Sequence, residues 1–371
     1  MNNNQPRNIN TAKAAHASTA RSAPARQGGA RQGSANGKRR KKKSNTRGCL
    51  VAMLCVLLVV LVPLGGLYIW LGGSINSGEE GIIKDEIKAA PEFKGDVANI
   101  LVLGLDYEEG RSAKMTDMIL YVNFDVKNNR FNMLQIPRDL FVGEGLSTGG
   151  TGKINALYHN APDKSNPVGA IADVIHNQFQ LPIDYYVTVD MDMLKNLINT
   201  FGGIEVYVPR DMEYKGSKLE KGMRNLDGDA AEFFVRNRHG AGFERSDIDR
   251  LEMQRYFYAG LFRKFRELTV KDAMMMIPYV ATYINASVPM NECVGLGLKL
   301  LNVPSENIMM CRMPVYGAAE NYGSNSIVVG AQAETAELLN TYFRAYTEPV
   351  PAESLNLAKW PTSGPVIEAA V

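Results

Sequence analysis

The sequence predicts an α/β domain, a mixed sheet flanked by helices, preceded by one transmembrane helix. Three observations carry this. Short apolar runs with strand character alternate with helical spacings through residues 96–268. A stretch of 23 residues without charge, Cys49 to Leu71, is long enough to cross a bilayer as a helix. The first 47 residues hold 12 Lys or Arg and no Asp or Glu.

Residues 1–47 are Asn, Gln, Ser, Ala, Gly and Arg with almost nothing apolar, so they cannot bury a core and are expected to be disordered. Lys38-Arg39-Arg40-Lys41-Lys42-Lys43 abuts the apolar run, which places this flank in the cytoplasm and the rest of the chain outside. The same cluster would attract anionic membrane lipid. A cleaved signal peptide fits less well, because the apolar run exceeds roughly 7–15 residues, the leader is long and no A-x-A-like site follows. The span is set at 48–72, and a polar stalk rich first in Gly and Ser and then in charge at 73–95. Beyond the tail, 29 basic residues face 39 acidic ones, a net of −10 that argues against nucleic-acid binding by the outer part.

The folded part begins near Asp96. Val97 to Leu105 reads as a buried strand, and Met118 to Asp125 and Arg130 to Ile136 as a hairpin around Lys-Asn-Asn. Val168 to Phe179 has helical spacing. Tyr185 to Val189 and Ile204 to Val208 read as strands, with a helix between them that ends at Gly202-Gly203. Leu226-Asp227-Gly228 opens a helix through Phe234, and a long helix follows from about Ser246 to Phe265. Residues 269–347 are expected to extend the domain with two helical segments, a strand near Ile308 to Met313 and a helix from Gln332 to Tyr346. Residues 348–371, rich in Pro, Ala and Ser, read as a flexible tail. Cys293 and Cys311 are the two cysteines outside the membrane span and can pair across a short loop.

No two of the four His residues lie at metal-ligand spacing, and no nucleophile elbow supports a Ser triad. Gly149-Gly150-Thr151-Gly152-Lys153 resembles a phosphate loop, but Ser147 and Ile154 stand where that loop needs Gly and Ser or Thr. Charge in apolar positions is the stronger signal. In the long helix Asp247, Arg250 and Gln254 share a face with Phe257, Tyr258, Leu261, Phe262 and Phe265. Asp247 and Arg250 can form an internal salt bridge or, with the helix dipole, an anion site. In Val235-Arg236-Asn237-Arg238, an extended chain would point Arg236 and Arg238 to the same side, two guanidinium forks suited to a phosphate or pyrophosphate. Pro137-Arg138-Asp139 follows one strand, while Asp106 closes another and Asp117 precedes a third. Carboxylates at strand ends beside arginines suit a Mg²⁺ held partly by substrate phosphates.

Together these motifs resemble the LytR-CpsA-Psr family. The resemblance rests on Asn99 to Asp106, Thr116-Asp117-Met118, Ile136 to Asp139, Lys153 to Ala156, Gly202 to Val206, Leu226 to Gly228, Val235 to Arg238 and Asp247-x-x-Arg250-x-x-x-Gln254. It covers about residues 96–268. It implies a membrane-anchored enzyme that moves a glycopolymer, such as a wall teichoic acid or capsular polysaccharide, from a polyprenyl-pyrophosphate carrier to peptidoglycan through a phosphodiester. By position, Asp106 and Asp117 would hold Mg²⁺. Arg138, Arg236, Arg238 and Arg250 would clamp the phosphates, supported by Lys153 and Gln254; the base is left unassigned, with Asp106 and Asp139 as candidates. The alternatives are a hydrolase of the same pyrophosphate and a lipid-binding scaffold without turnover. Two positions depart from the family pattern: Met115 and Met253 stand where Arg is usual.

Overall fold

The computed structural model describes residues 96–106, 114–240, 243–245, 247–269, 271–272, 285–344 and 348–369. The tail, membrane helix and stalk expected over 1–95 lie outside them. Among the described residues no helix is long and apolar enough to cross a membrane.

The chain opens with β1 (Val97–Asp106), β2 (Met115–Asp125) and β3 (Arg130–Gln135), then α1 (Pro167–Phe179), β4 (Tyr185–Asp190) and α2 (Met191–Thr200). A hairpin of β5 (Ile204–Val208) and β8 (Gly222–Leu226) encloses a smaller one of β6 (Met212–Tyr214) and β7 (Ser217–Leu219). Next come α3 (Gly228–Arg236), α4 (Asp247–Glu267), β9 (Asn285–Ala286), α5 (Met290–Leu301), β10 (Ile308–Arg312), β11 (Val315–Ala318), β12 (Val328–Gly330), α6 (Gln332–Tyr342) and β13 (Thr362–Ile367). The main sheet has the order β10-β3-β2-β1-β4-β9, with β1 parallel to β4, β10 parallel to β3 and the other pairs antiparallel. It is the mixed sheet that the alternation of elements predicts. The last helix is shorter than expected and ends at Tyr342.

Alternation of side chains builds a core on each face of this sheet. Leu101, Leu103, Ile119, Tyr121 and Leu134 pack on one face with Ile171, Ile175 and Phe179 of α1 and Leu339 of α6. Val122, Phe124, Phe131 and Met133 form the other face, with Leu296 and Leu300 of α5 against it. Burying each such side chain stabilises the fold by roughly 1.5–3 kcal/mol. A third cluster joins β5 and β8 to α2, α3 and α4 through Val206, Leu226, Phe234, Met253 and Phe257. Asn99 satisfies two donors inside the main core: its Oδ1 accepts from the Tyr121 hydroxyl and the Asn123 amide, both at 2.8 Å.

One expectation changes here, and one open question is answered. Residues 348–369 are not a loose tail: Leu355 and Leu357 are 3% and 6% exposed in the main core, and β13 pairs with β11. Composition hid two leucines that face inward from a Pro-rich segment. Leu355→Ala is expected to cost about 2–5 kcal/mol of stability by leaving a cavity. An unchanged thermal midpoint would show that the segment is dispensable. Cys311, whose pairing the sequence left open, is a free thiol buried in the same core. Burial, opposed by nearby Arg255, pushes that thiol up to about 12 and keeps it protonated.

Candidate active site

The site begins with an irregularity between β1 and β2. Gly104 pairs with Met118, but the next residue, Leu105, pairs with Thr116, so Asp117 is the extra residue of a β-bulge. Gly104 permits it, since a Cβ there would sit 2.8 Å from the Met118 Cβ. Asp106 ends β1 opposite Met115. The bulge turns Asp117 out of the ladder at the edge where Asp106 leaves it.

Beyond β3 the chain turns at Pro137, with Leu140 N–H donating to its carbonyl at 3.0 Å. Residues 153–155 run back along this turn: Ile154 N–H donates to Leu140 C=O at 3.0 Å and Asn155 N–H to Arg138 C=O at 3.2 Å. This register brings Lys153 Nζ to 2.8 Å from Asp139. Thr116 Oγ1 donates to Asn155 C=O at 3.3 Å and ties the turn to β2. Three separated motifs are thereby joined by backbone geometry.

Arg138 is the hub. Its guanidinium reaches Asp117 at 2.6 Å, Asp247 at 3.3 Å and Asp139 at 3.9 Å, with the side chain 13% exposed. Arg250, one helical turn after Asp247, pairs with it at 2.5 Å and donates to Asp117 C=O at 3.1 Å. The first turn of α4 therefore holds the salt bridge, and Arg250 also reaches the strand that carries Asp117. Gln254, one turn further, donates to Val235 C=O at 2.9 Å and fixes the end of α3. Its Oε1 is buried without a hydrogen bond.

Arg236 is the last residue of α3, not part of an extended segment. The helix, capped by Asp227 on Ala230 N–H at 2.9 Å, runs two residues past the expected Phe234. Arg236 consequently meets Glu232, one turn back, at 2.8 Å and reaches Asp106 at 3.0 Å. Asn237 then closes a turn onto the backbone of His239, and Arg238 is half-buried within it. Glu232, which also meets Lys195 at 3.2 Å, was not singled out from the sequence. Its i,i+4 spacing from Arg236 was the available signal.

Burial pushes the Asp247 carboxyl up, with Arg250 the main opposing influence. Burial also acts to lower Arg138, but Asp117, Asp247 and Asp139 outweigh it and hold the guanidinium charged. Arg138, Lys153, Arg236 and Arg250 thus face Asp106, Asp117, Asp139, Glu232 and Asp247, four cations each paired with carboxylates. No group of three or more His, Cys, Asp or Glu among the described residues is placed to hold a metal by itself. Asp106 and Asp117 offer hard oxygens at neighbouring strand ends, which suits a Mg²⁺ completed by water and phosphate.

The two departures have different surroundings. Met253 is fully buried in the apolar cluster between α4 and the β5–β8 hairpin, where an arginine would be desolvated. Met115 is half-buried beside Asp106.

A mixed α/β sheet with arginines and a lysine converging on carboxylates at its strand ends is a site whose chemistry suits phosphate. More narrowly, the chain belongs to the LytR_cpsA_psr family, which it matches over residues 76–344. It is 31% identical to the polyisoprenyl-teichoic acid–peptidoglycan teichoic acid transferase TagV of Bacillus subtilis, over 69% of this chain and 66% of that protein. The chain thus spans slightly under two thirds of that relative's length. With the corresponding TagU of the same organism it shares 28% identity, over 62% of this chain and 72% of TagU. The crystal structure of B. subtilis TagV superposes with a TM-score of 0.54 at 26% identity, covering 71% of this chain and 99% of that one.

Proposed function

We infer that this chain transfers a glycopolymer from a polyprenyl-pyrophosphate carrier to peptidoglycan, leaving a phosphodiester link. The observation that carries the reading is Arg138, bound at once to Asp117, Asp139 and Asp247 and bracketed by Lys153 and Arg250. Such a cluster can exchange carboxylate partners for phosphate oxygens without rebuilding its backbone frame. The named activity of the TagU and TagV relatives is of this kind.

The charge balance supports a divalent cation. A pyrophosphate diester brings about two negative charges at neutral pH to a cluster whose cations are already matched by carboxylates, and Mg²⁺ would offset them. When bound at Asp106 and Asp117, Mg²⁺ would supply charge neutralisation on the phosphate oxygens. Arg138 and Arg250 hold the phosphate from one side, and Arg236 and Arg238 from the end of α3. The acceptor hydroxyl oxygen forms a bond to the phosphorus nearest the glycan while the bridging P–O bond breaks. The polyprenyl phosphate leaves with that electron pair. Asp139 takes the hydroxyl proton, with Lys153 orienting its carboxylate, because a metal-held Asp106 is a poor base. Ile100 and Val102, only partly buried on the side of β1 that ends at Asp106, provide an apolar wall for the polyprenyl chain. The charge-free run Cys49 to Leu71 would anchor the chain where carrier and acceptor meet, at the outer membrane face.

The test uses the full chain in detergent with a polyprenyl-pyrophosphate disaccharide, peptidoglycan strands and Mg²⁺. Mass spectrometry should find a sugar–phosphate–muramic adduct that Arg236→Ala abolishes. Bound lipid without any product, across several donor sugars, would refute transfer and leave a lipid-binding protein.

A further inference from the structure

The glycine-rich run before Lys153 takes no part in the phosphate cluster, yet it is tightly specified. Gly149, Gly150 and Gly152 have φ of +61°, +82° and +70°, conformations that L side chains avoid. The buried Thr148 closes the loop, its Oγ1 accepting from Gly152 N–H at 3.0 Å and its C=O from Thr151 Oγ1 at 2.9 Å. Gly152 lies flat against two rings: a Cβ there would be 2.8 Å from Tyr322 and 2.9 Å from Phe141. The loop thus seats an aromatic group one residue away from Lys153.

That group is Phe141, Tyr322 and Trp360, from three separate segments, with each pair of ring centroids 5.2 Å apart. None of the three belongs to the apolar clusters of the core. Phe141 is the buried floor, and its backbone bridges that of Lys153. Tyr322 and Trp360 remain half-exposed. The Trp360 indole N–H donates to Glu320 C=O at 3.0 Å, which fixes the ring plane. The Tyr322 hydroxyl makes no hydrogen bond among the described residues. A fixed indole and phenol with a free hydroxyl at the rim, beside bare glycine backbone, match a pyranose ring. Such a ring has an apolar C–H face to stack and a polar edge to hydrogen-bond.

We propose that Tyr322 and Trp360, floored by Phe141 and seated by Gly152, are a stacking subsite for a sugar ring next to the reacting phosphate. This rests on the transfer reading above. The ring belongs either to the donor glycan or to the peptidoglycan acceptor, which share this chemistry. Preorganised rings lose little freedom on binding, so their contribution appears as affinity for that sugar.

The sequence has two tryptophans, Trp70 and Trp360, so Trp70→Phe leaves Trp360 as the only indole. The full chain carrying Trp70→Phe, in detergent, is titrated with N-acetylglucosaminyl-N-acetylmuramic acid and separately with the polyprenyl-pyrophosphate disaccharide. A saturable change in Trp360 emission with one of them is expected. In steady-state transfer, Trp360→Ala should raise KM for that same substrate about three- to tenfold with kcat within about twofold, and Trp360→Phe should keep most of the affinity. Gly152→Ala, which displaces Phe141 and Tyr322, should raise the same KM without touching the indole. No emission change with either sugar, or an unaltered KM in Trp360→Ala, overturns the subsite while adduct formation still upholds transfer. A saturable emission change with no adduct in any variant upholds the subsite and overturns transfer.

Discussion

Arg138→Ala is expected to reduce transfer by at least about a thousandfold and to destabilise the folded chain by about 3–5 kcal/mol. Both effects follow from one guanidinium that meets three carboxylates while 13% exposed. Without it, Asp247 keeps only Arg250 as an ion-pair partner among the described residues, in surroundings that already push its carboxyl up. The phosphate loses the cation that joins β2, the turn after β3 and the start of α4. Arg138→Lys should recover stability more than turnover, because an ammonium cannot present two parallel N–H groups. Turnover and thermal midpoint measured on both variants check this. Near-normal turnover in Arg138→Ala would remove the hub from the mechanism.

The second large effect concerns Asp117. Asp117→Asn keeps the shape of the bulge and an acceptor for Arg138, so the fold should persist. Removing its charge is expected to lower transfer by about two to three orders of magnitude and to raise the Mg²⁺ concentration needed for half-maximal rate. Chelation with EDTA should stop the unaltered chain, and added Mg²⁺ should restore it. Asp139→Asn should slow turnover by about two orders of magnitude or more without moving the Mg²⁺ requirement, as a proton acceptor outside the metal site would. Transfer that survives EDTA would exclude Asp106 and Asp117 as metal ligands.

Much of this was legible in the chain because the relevant signals are local. The strand Val97–Asp106 and its neighbours announce themselves by apolar runs and the Lys-Asn-Asn turn, where Asn129 takes a positive φ of 52°. Asp247, Arg250 and Gln254 were recognisable as polar residues on an apolar helical face. Two possibilities for Asp247 and Arg250 stood open, and the structure makes the salt bridge within a larger cluster of paired cations and carboxylates. What depends on distant contacts was not legible. The bulge at Asp117 is set by the close approach of Gly104 to Met118 across two strands. The helix through Arg236 outran its expected end because Glu232 and Gln254 support its last turn from both sides. Leu355 and Leu357 reach the core through a segment whose composition reads as tail. The glycines before Lys153 resembled a failed phosphate loop until Phe141, Tyr322 and Trp360 were seen packed around them.

The most direct measurement of the central claim is the fate of water oxygen. The full chain, Mg²⁺, the polyprenyl-pyrophosphate disaccharide and peptidoglycan strands are combined in ¹⁸O-enriched water, and sugar-phosphate products are weighed by mass spectrometry. Transfer predicts an adduct whose phosphodiester carries no ¹⁸O, formed in equal amount with polyprenyl monophosphate, because the attacking oxygen is the acceptor's own hydroxyl. Free sugar phosphate bearing one ¹⁸O, with no adduct, would contradict it and assign the same residues to hydrolysis.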